Sequence, residues 1–233
     1  MKRFSLFLIS FLMLNVSILH GQEIKKIRDI GLWAQVAVKH EFNKKWELSL
    51  TQQFRFFDNV SKLNKLVSDI GCSYKINKQF KLAGGFRYLY DRKKDYTFTH
   101  DLRVNFDLLY EIKLSSKLDL EYRVRFQNSY TDLFTRFDQH REKSNIRNRI
   151  KLSYQTNENH TFYFSSELFR QYVAYRKPYF NDLRLCLGDQ MNLKKGKFDF
   201  SFCVEHQLND EHPLNFFFLR LGYTFNLKLD SDV

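Results

Sequence analysis

Between Lys117 and Tyr130, ionic side chains fall on every second position: Asp119, Glu121, Arg123 and Arg125, followed by Gln127. Guanidinium and carboxylate groups at this spacing project to one side of an extended chain. Two chemistries are open to them. They can form bidentate bridges to opposite charges on neighbouring strands, or a surplus of one sign can hold or pass a mobile ion. The same parity collects Arg55, Arg87, Arg103, Glu111, Glu121, Arg123, Arg125, Arg147, Arg149, Glu167, Arg184 and Glu205 into one candidate charge network, with Glu47, Lys75, Asp107 and Asp119 beside it. Structural pairing that fills and neutralises a narrow interior is the first expectation. A narrow aqueous channel favouring anions is the second.

Catalysis has thinner support. His40, His100, His140, His160, His206 and His212 follow the leader, but no His-Glu-x-x-His, Gly-x-Ser-x-Gly or Gly-rich phosphate loop occurs. Glu205 and His206 are adjacent on a strand and therefore point to opposite faces. Ser144 near an outer rim, with His100 or His140, supplies the ingredients of a lipid hydrolase, kept as an alternative. No catalytic, cofactor-binding or metal-binding residue is assigned, and no cofactor is expected. The three cysteines, Cys72, Cys186 and Cys203, lack metal-site spacing. They read as small packing residues, with a bridge between Cys186 and Cys203 on adjacent strands left open.

The elements that position these groups are strands. Opposite Asp119, Glu121, Arg123 and Arg125 stand Leu118, Leu120, Tyr122, Val124 and Phe126. A helix would mix the two sets around its circumference. His100, Leu102, Val104, Phe106, Leu108, Tyr110 and Ile112 likewise oppose Asp101, Arg103, Asn105, Asp107 and Glu111. Eleven such segments follow one another, from Gly31–Phe42 to the run carrying Phe217, Leu219, Leu221, Tyr223, Phe225 and Leu227. Short links (Asn43 to Lys45, Asn77 to Gln79, Lys113 to Ser116, Gln155 to His160, Lys194 to Gly196) alternate with longer ones. One greasy face, one ionic face and alternating link lengths predict a closed antiparallel transmembrane β-barrel, with short periplasmic turns and longer extracellular loops. Parity favours twelve strands, with ten possible; Gln22 to Ile30 would supply the twelfth. Trp33, Trp46, Tyr90, Tyr110, Tyr130, Tyr154 and Tyr172 are expected in aromatic girdles at the two rims.

Met1-Lys2-Arg3, the apolar run Phe4 to Leu19 and the small Gly21 read as a signal peptide spanning residues 1–21, leaving residues 22–233 as a single barrel domain. The formal charge of +12 would fall to +10 on cleavage. The basic residues are spread along the chain instead of forming one patch, which argues against nucleic acid. The expected location is the bacterial outer membrane. The expected partners are its lipids and the export and barrel-assembly machinery.

Several segments, Asp29-Ile30-Gly31-Leu32-Trp33, Phe42-Asn43-Lys44-Lys45-Trp46-Glu47-Leu48-Ser49-Leu50, Gln53-Phe54-Arg55-Phe56, Gly84-Gly85-Phe86-Arg87-Tyr88 and Glu121-Tyr122-Arg123-Val124-Arg125-Phe126-Gln127, resemble the bacterial family called domain of unknown function 2490. The likeness runs from about Asp29 to Leu227. It implies an exported outer-membrane-type barrel and carries no active residues with it.

Overall fold

The computed structural model describes residues 30–92, 97–131, 133, 141–173, 177–209 and 213–228. The leader at 1–21, the proposed extra strand apart from Ile30, and His140 and His212 lie outside these residues.

Eleven strands form the wall: β1 (Ile30–Glu41), β2 (Trp46–Phe57), β3 (Lys62–Lys75), β4 (Phe80–Arg92), β5 (Phe98–Lys113), β6 (Leu118–Thr131), β7 (Arg141–Gln155), β8 (His160–Tyr172), β9 (Tyr179–Leu193), β10 (Gly196–Gln207) and β11 (Asn215–Lys228). Each pairs antiparallel with its sequence neighbours. The ring closes where β1 lies parallel to β11, from Ile30 opposite Phe217 to Glu41 opposite Lys228. The expected twelve strands are therefore corrected to eleven. With an odd count the first and last strands run in the same direction, so closure needs one parallel ladder. Because β1 is hydrogen-bonded on both sides, no edge is left for a further strand.

The short turns share a local cause. Asn43, Asn77 and Asn157 each accept two backbone N–H groups on their Oδ1, at 2.7–2.9 Å, and Ser115 does so less tightly on its Oγ. This side-chain capture of the turn backbone is what favours Asn and Ser there. Between β9 and β10 only Lys194 and Lys195 intervene, and Gly196 follows because an added Cβ would stand 2.1 Å from the Thr224 carbonyl oxygen.

Side-chain placement is the reverse of a soluble barrel's. Phe106 is 63 % exposed and Leu187 64 %, whereas Arg147 and Glu167 are 7 % and 5 % exposed. The greasy faces point outward and the ionic faces inward. Trp46 packs on Tyr74 and Phe80 on Tyr110 near the short-turn rim, and Tyr90 stacks on Phe98 near the other. Trp33, expected in a girdle, instead faces the lumen. It shares parity with Gln35 and Lys39, and it stacks on Phe218 with ring centroids 4.0 Å apart.

Cys186 and Cys203 are direct cross-strand partners and form a disulfide, with Cα atoms 4.2 Å apart. Their reading as small packing residues is corrected. Cys72 is a free, exposed thiol on the outer face.

Candidate functional site

Ten of the twelve residues of the charge network line the lumen cavity, and Arg103 and Glu205 share the lumen parity of their strands without lining it, but register decides which of them meet. Directly across neighbouring strands the ladder sets like against like: Glu41 on Glu47, Arg87 on Arg103, Glu111 on Glu121, Arg123 on Arg149 and Arg125 on Arg147. Like charges directly opposite are destabilising. Carboxylates directly opposite on the other neighbouring strand, Asp69 for Arg87 and Asp107 for Arg125, or one strand further on, as Glu167 for Arg123, offset most of this.

Glu167 is the hub. Its Oε1 accepts from Arg123 Nη2 at 2.5 Å and Arg147 Nε at 3.1 Å, its Oε2 accepts from Arg147 Nη2 at 2.9 Å, and Arg184 Nη1 stands 3.6 Å away. Arg125 forms a bidentate pair with Asp107, both bonds at 2.6 Å, and Arg87 pairs likewise with Asp69 at 2.5 and 2.9 Å. Arg149 pairs with Glu121, and Arg184 Nε donates to Glu205 at 2.7 Å. Three members of the expected network are not drawn into ion pairs among the described residues: Arg55, Arg103 and Glu111.

Other lumen groups had escaped the sequence reading. Arg220 donates to the Tyr163 hydroxyl at 2.7 Å and approaches Asp199 at 3.3 Å, and Tyr163 donates to Asp199 at 3.0 Å. Arg220 shares its face with Phe216 and Phe218, so β11 shows apolar residues at both parities and its ionic side is hidden. Tyr163 occupies the space above Gly188, where an added Cβ would lie 2.6 Å from the ring. At the level of Trp33 the arginines also lie on aromatic rings. Arg55 is 3.8 Å from the Trp33 centroid, Arg147 is 4.3 Å from Phe169, and Arg184 is 5.0 Å from Phe169 and 5.1 Å from Trp33.

A cavity of about 970 Å³ occupies the lumen, lined by eleven Lys or Arg and eight Asp or Glu side chains. Its wall begins at Glu41, Asp119 and Asn226, on the short-turn ends of their strands, and stops at Trp33, Arg55 and Arg184. Lys65, Asp91 and Asp101, nearer the long loops on the same lumen parity, are not part of it. Arg55, Arg87, Arg103, Arg147 and Arg184 occupy the long-loop halves of their strands together with Glu167 and Glu205, and Glu41, Glu47, Glu111, Asp119 and Glu121 the short-turn halves together with Lys39, Arg123, Arg149, Lys151 and Lys197.

Among the described residues, which do not include His140, the hydrolase alternative gains no geometry. Ser144 donates to Asn128, whereas His100 faces Tyr88 on a strand two removed from β7. Among the described residues no group of three His, Cys, Asp or Glu is placed to hold a metal ion.

The fold is similar to that of a solved structure described as "Bacterial polysaccharide outer membrane secretin", with a TM-score of 0.50 and 12 % identity, over 75 % of this chain and 62 % of that one. The chain thus spans less than two thirds of that protein's length. No curated protein matches the chain. The family model described as "Protein of unknown function (DUF2490)" matches residues 30–229, and the chain belongs to that family.

Proposed function

We propose that the protein is an outer-membrane β-barrel with a transport-associated role, whose lumen admits small anions from the short-turn mouth up to a guanidinium-rich constriction. The observation that carries this reading is the inverted dressing of the wall: an apolar exterior around a cavity of about 970 Å³ lined by more cations than carboxylates. A buried ionic interior is tolerable only where charges are paired or wet, and an apolar exterior of this extent is costly in water. Both costs vanish if hydrocarbon surrounds the barrel and water enters it. The disulfide between Cys186 and Cys203 fits an exported protein, because such bonds persist in oxidising compartments. The likeness to a structure titled as an outer-membrane protein agrees with the placement.

Because the cavity wall stops at the layer of Trp33, Arg55 and Arg184, conductance through the intact barrel is expected to be small and anion-favouring. Trp33→Ala and Phe218→Ala remove the stacked pair that closes this layer on the β1–β11 side. Planar-bilayer recording under a KCl gradient should give a reversal potential on the chloride side, with conductance several-fold larger in the two variants. Folded protein that forms no pore even with Trp33→Ala, or a cation-selective pore, would refute the passage. Absence of the native protein from the outer-membrane fraction would refute the placement.

A further inference from the structure

Arg55 and Arg103 differ from the other lumen arginines of the long-loop half in forming no ion pair among the described residues, and the carboxylates within electrostatic range of Arg103 are those of Asp101, Asp91 and Asp69. Arg103 stands between Arg87 and Ser129 in the ladder, and Arg55 between Trp33 and Lys65. Arg87 is committed to Asp69 and Lys65 to Asp91, at 2.6 Å for the latter. The Nε of Arg103 is buried without an acceptor. Arg55 is held in position by its Nε, which donates to Gln53 Oε1 at 2.7 Å, while Gln53 is tied to Gln35 at 3.3 Å and the guanidinium plane rests on Trp33. That leaves both Nη groups of Arg55 without a hydrogen-bond partner among the described residues, on the cavity wall. Arg87, Arg184 and Arg103 all lie within electrostatic range of it and act more strongly on it than the carboxylate of Glu205 does.

A pre-oriented guanidinium beside like charges is poor architecture for stability alone, since uncompensated charge away from water is costly. It is suited to an oxyanion, whose oxygens take the parallel N–H bonds of an arginine fork. Trp33 has Phe218 on it at 4.0 Å and Arg55 at 3.8 Å, so its ring is already covered and the attraction is ionic, not aromatic. We propose that Arg55 and Arg87, at the inner end of the cavity, and Arg103, the ladder partner of Arg87 outside the cavity lining, form a binding site for a small oxyanion, a phosphate or carboxylate group carrying up to two negative charges. The site rests on reading the lumen as anion-accepting, but it requires no passage through the barrel.

The test is calorimetric titration of the refolded barrel in neutral detergent with inorganic phosphate at constant ionic strength, with succinate in a second arm to distinguish the carboxylate source. Saturable binding is expected. Arg55→Gln and Arg103→Gln should each weaken it at least tenfold, and Arg55→Lys, which keeps the charge and loses the fork, should fall between. Lys78→Gln in a short turn removes one cation outside the cavity and should change affinity less than twofold. Heat-dependent gel mobility verifies that each variant is folded. Phosphate should also raise the unfolding temperature of the parent protein and not of Arg103→Gln. Lack of saturable binding by either anion, parent-like affinity in either Gln variant, or an equal loss in Lys78→Gln would overturn the site. No membrane flux enters these readouts, so a barrel that forms no pores leaves them standing, and a barrel that conducts without binding phosphate sinks only the site.

Discussion

Glu167 shows how a single side chain organises the lumen. Three guanidiniums, those of Arg123, Arg147 and Arg184, converge on one carboxylate that is itself 5 % exposed. Breaking a buried charge cluster from one side leaves uncompensated charge, at a cost of about 3–5 kcal/mol. Glu167→Gln is therefore expected to lower unfolding stability in detergent by about that amount. Arg55→Gln, which removes a cation without a partnered carboxylate, should leave stability unchanged or raise it. Urea unfolding followed by tryptophan fluorescence reads both, and equal losses in the two variants would contradict the assignment of their roles. At this scale the sequence tells which residues face inward and not which of them meet. Alternation identifies Glu121, Arg123 and Arg125 as one face, but the register sets Arg123 against Arg149 and Arg125 against Arg147. Arg125 then meets Asp107 directly opposite on its other neighbour, β5, whereas Arg123 on β6 reaches Glu167 one strand further on, on β8. Trp33 was misassigned through its residue type, although its parity with Gln35 and Lys39 already placed it inside.

Strands and turns were far more legible, because a period of two repeated along nearly the whole chain is a strong signal and the Asn-initiated turns interrupt it regularly. What could not be read was closure. The even-count rule presumes antiparallel pairing throughout, and nothing in the composition of β1 or β11 announces a parallel ladder between them. The pairing of Cys186 with Cys203 was likewise settled only by register, once the tight Lys194–Lys195 turn made the two residues direct partners. The bridge links β9 to β10 across a separation of 17 residues, a loop for which chain entropy suggests about 3 kcal/mol of stabilisation. β9 and β10 are already joined by a hairpin, so that figure is an upper value. Cys186→Ser combined with Cys203→Ser should lower the unfolding midpoint in detergent, and dithiothreitol should do the same to the parent protein. With Cys72 alkylated beforehand, a midpoint indifferent to both treatments would mean that the bridge contributes nothing to holding the β9–β10 part of the wall.

The molecule as a whole is defined by which way its two faces point, a matter on which parity alone is silent, since soluble and membrane barrels alternate alike. The cost of exposing arginines to hydrocarbon pointed to the ionic side as the inside, and the side-chain exposures of the structure agree. Whether hydrocarbon covers the other side can be asked of the native chain, because Cys72 is its one free thiol and projects outward between Leu48 and Gly84 in the ladder. A nitroxide on Cys72 of the barrel reconstituted in phosphatidylcholine vesicles should be relaxed strongly by oxygen, which concentrates in the bilayer, and weakly by a water-soluble nickel chelate. Moving the thiol to the cavity wall, with Cys72→Ser and Thr51→Cys, should reverse the ratio, because Thr51 borders the aqueous lumen. Thr51 pairs with Asp69 and Cys72 with Leu48, so Thr51 lies further from the short-turn rim, and depth in a bilayer would raise its exposure to oxygen instead of lowering it; an inversion therefore needs opposite solvents on the two sides of one sheet. If both labels met the nickel chelate equally, the apolar exterior would be covered by something other than lipid, and the membrane placement of the barrel would fall.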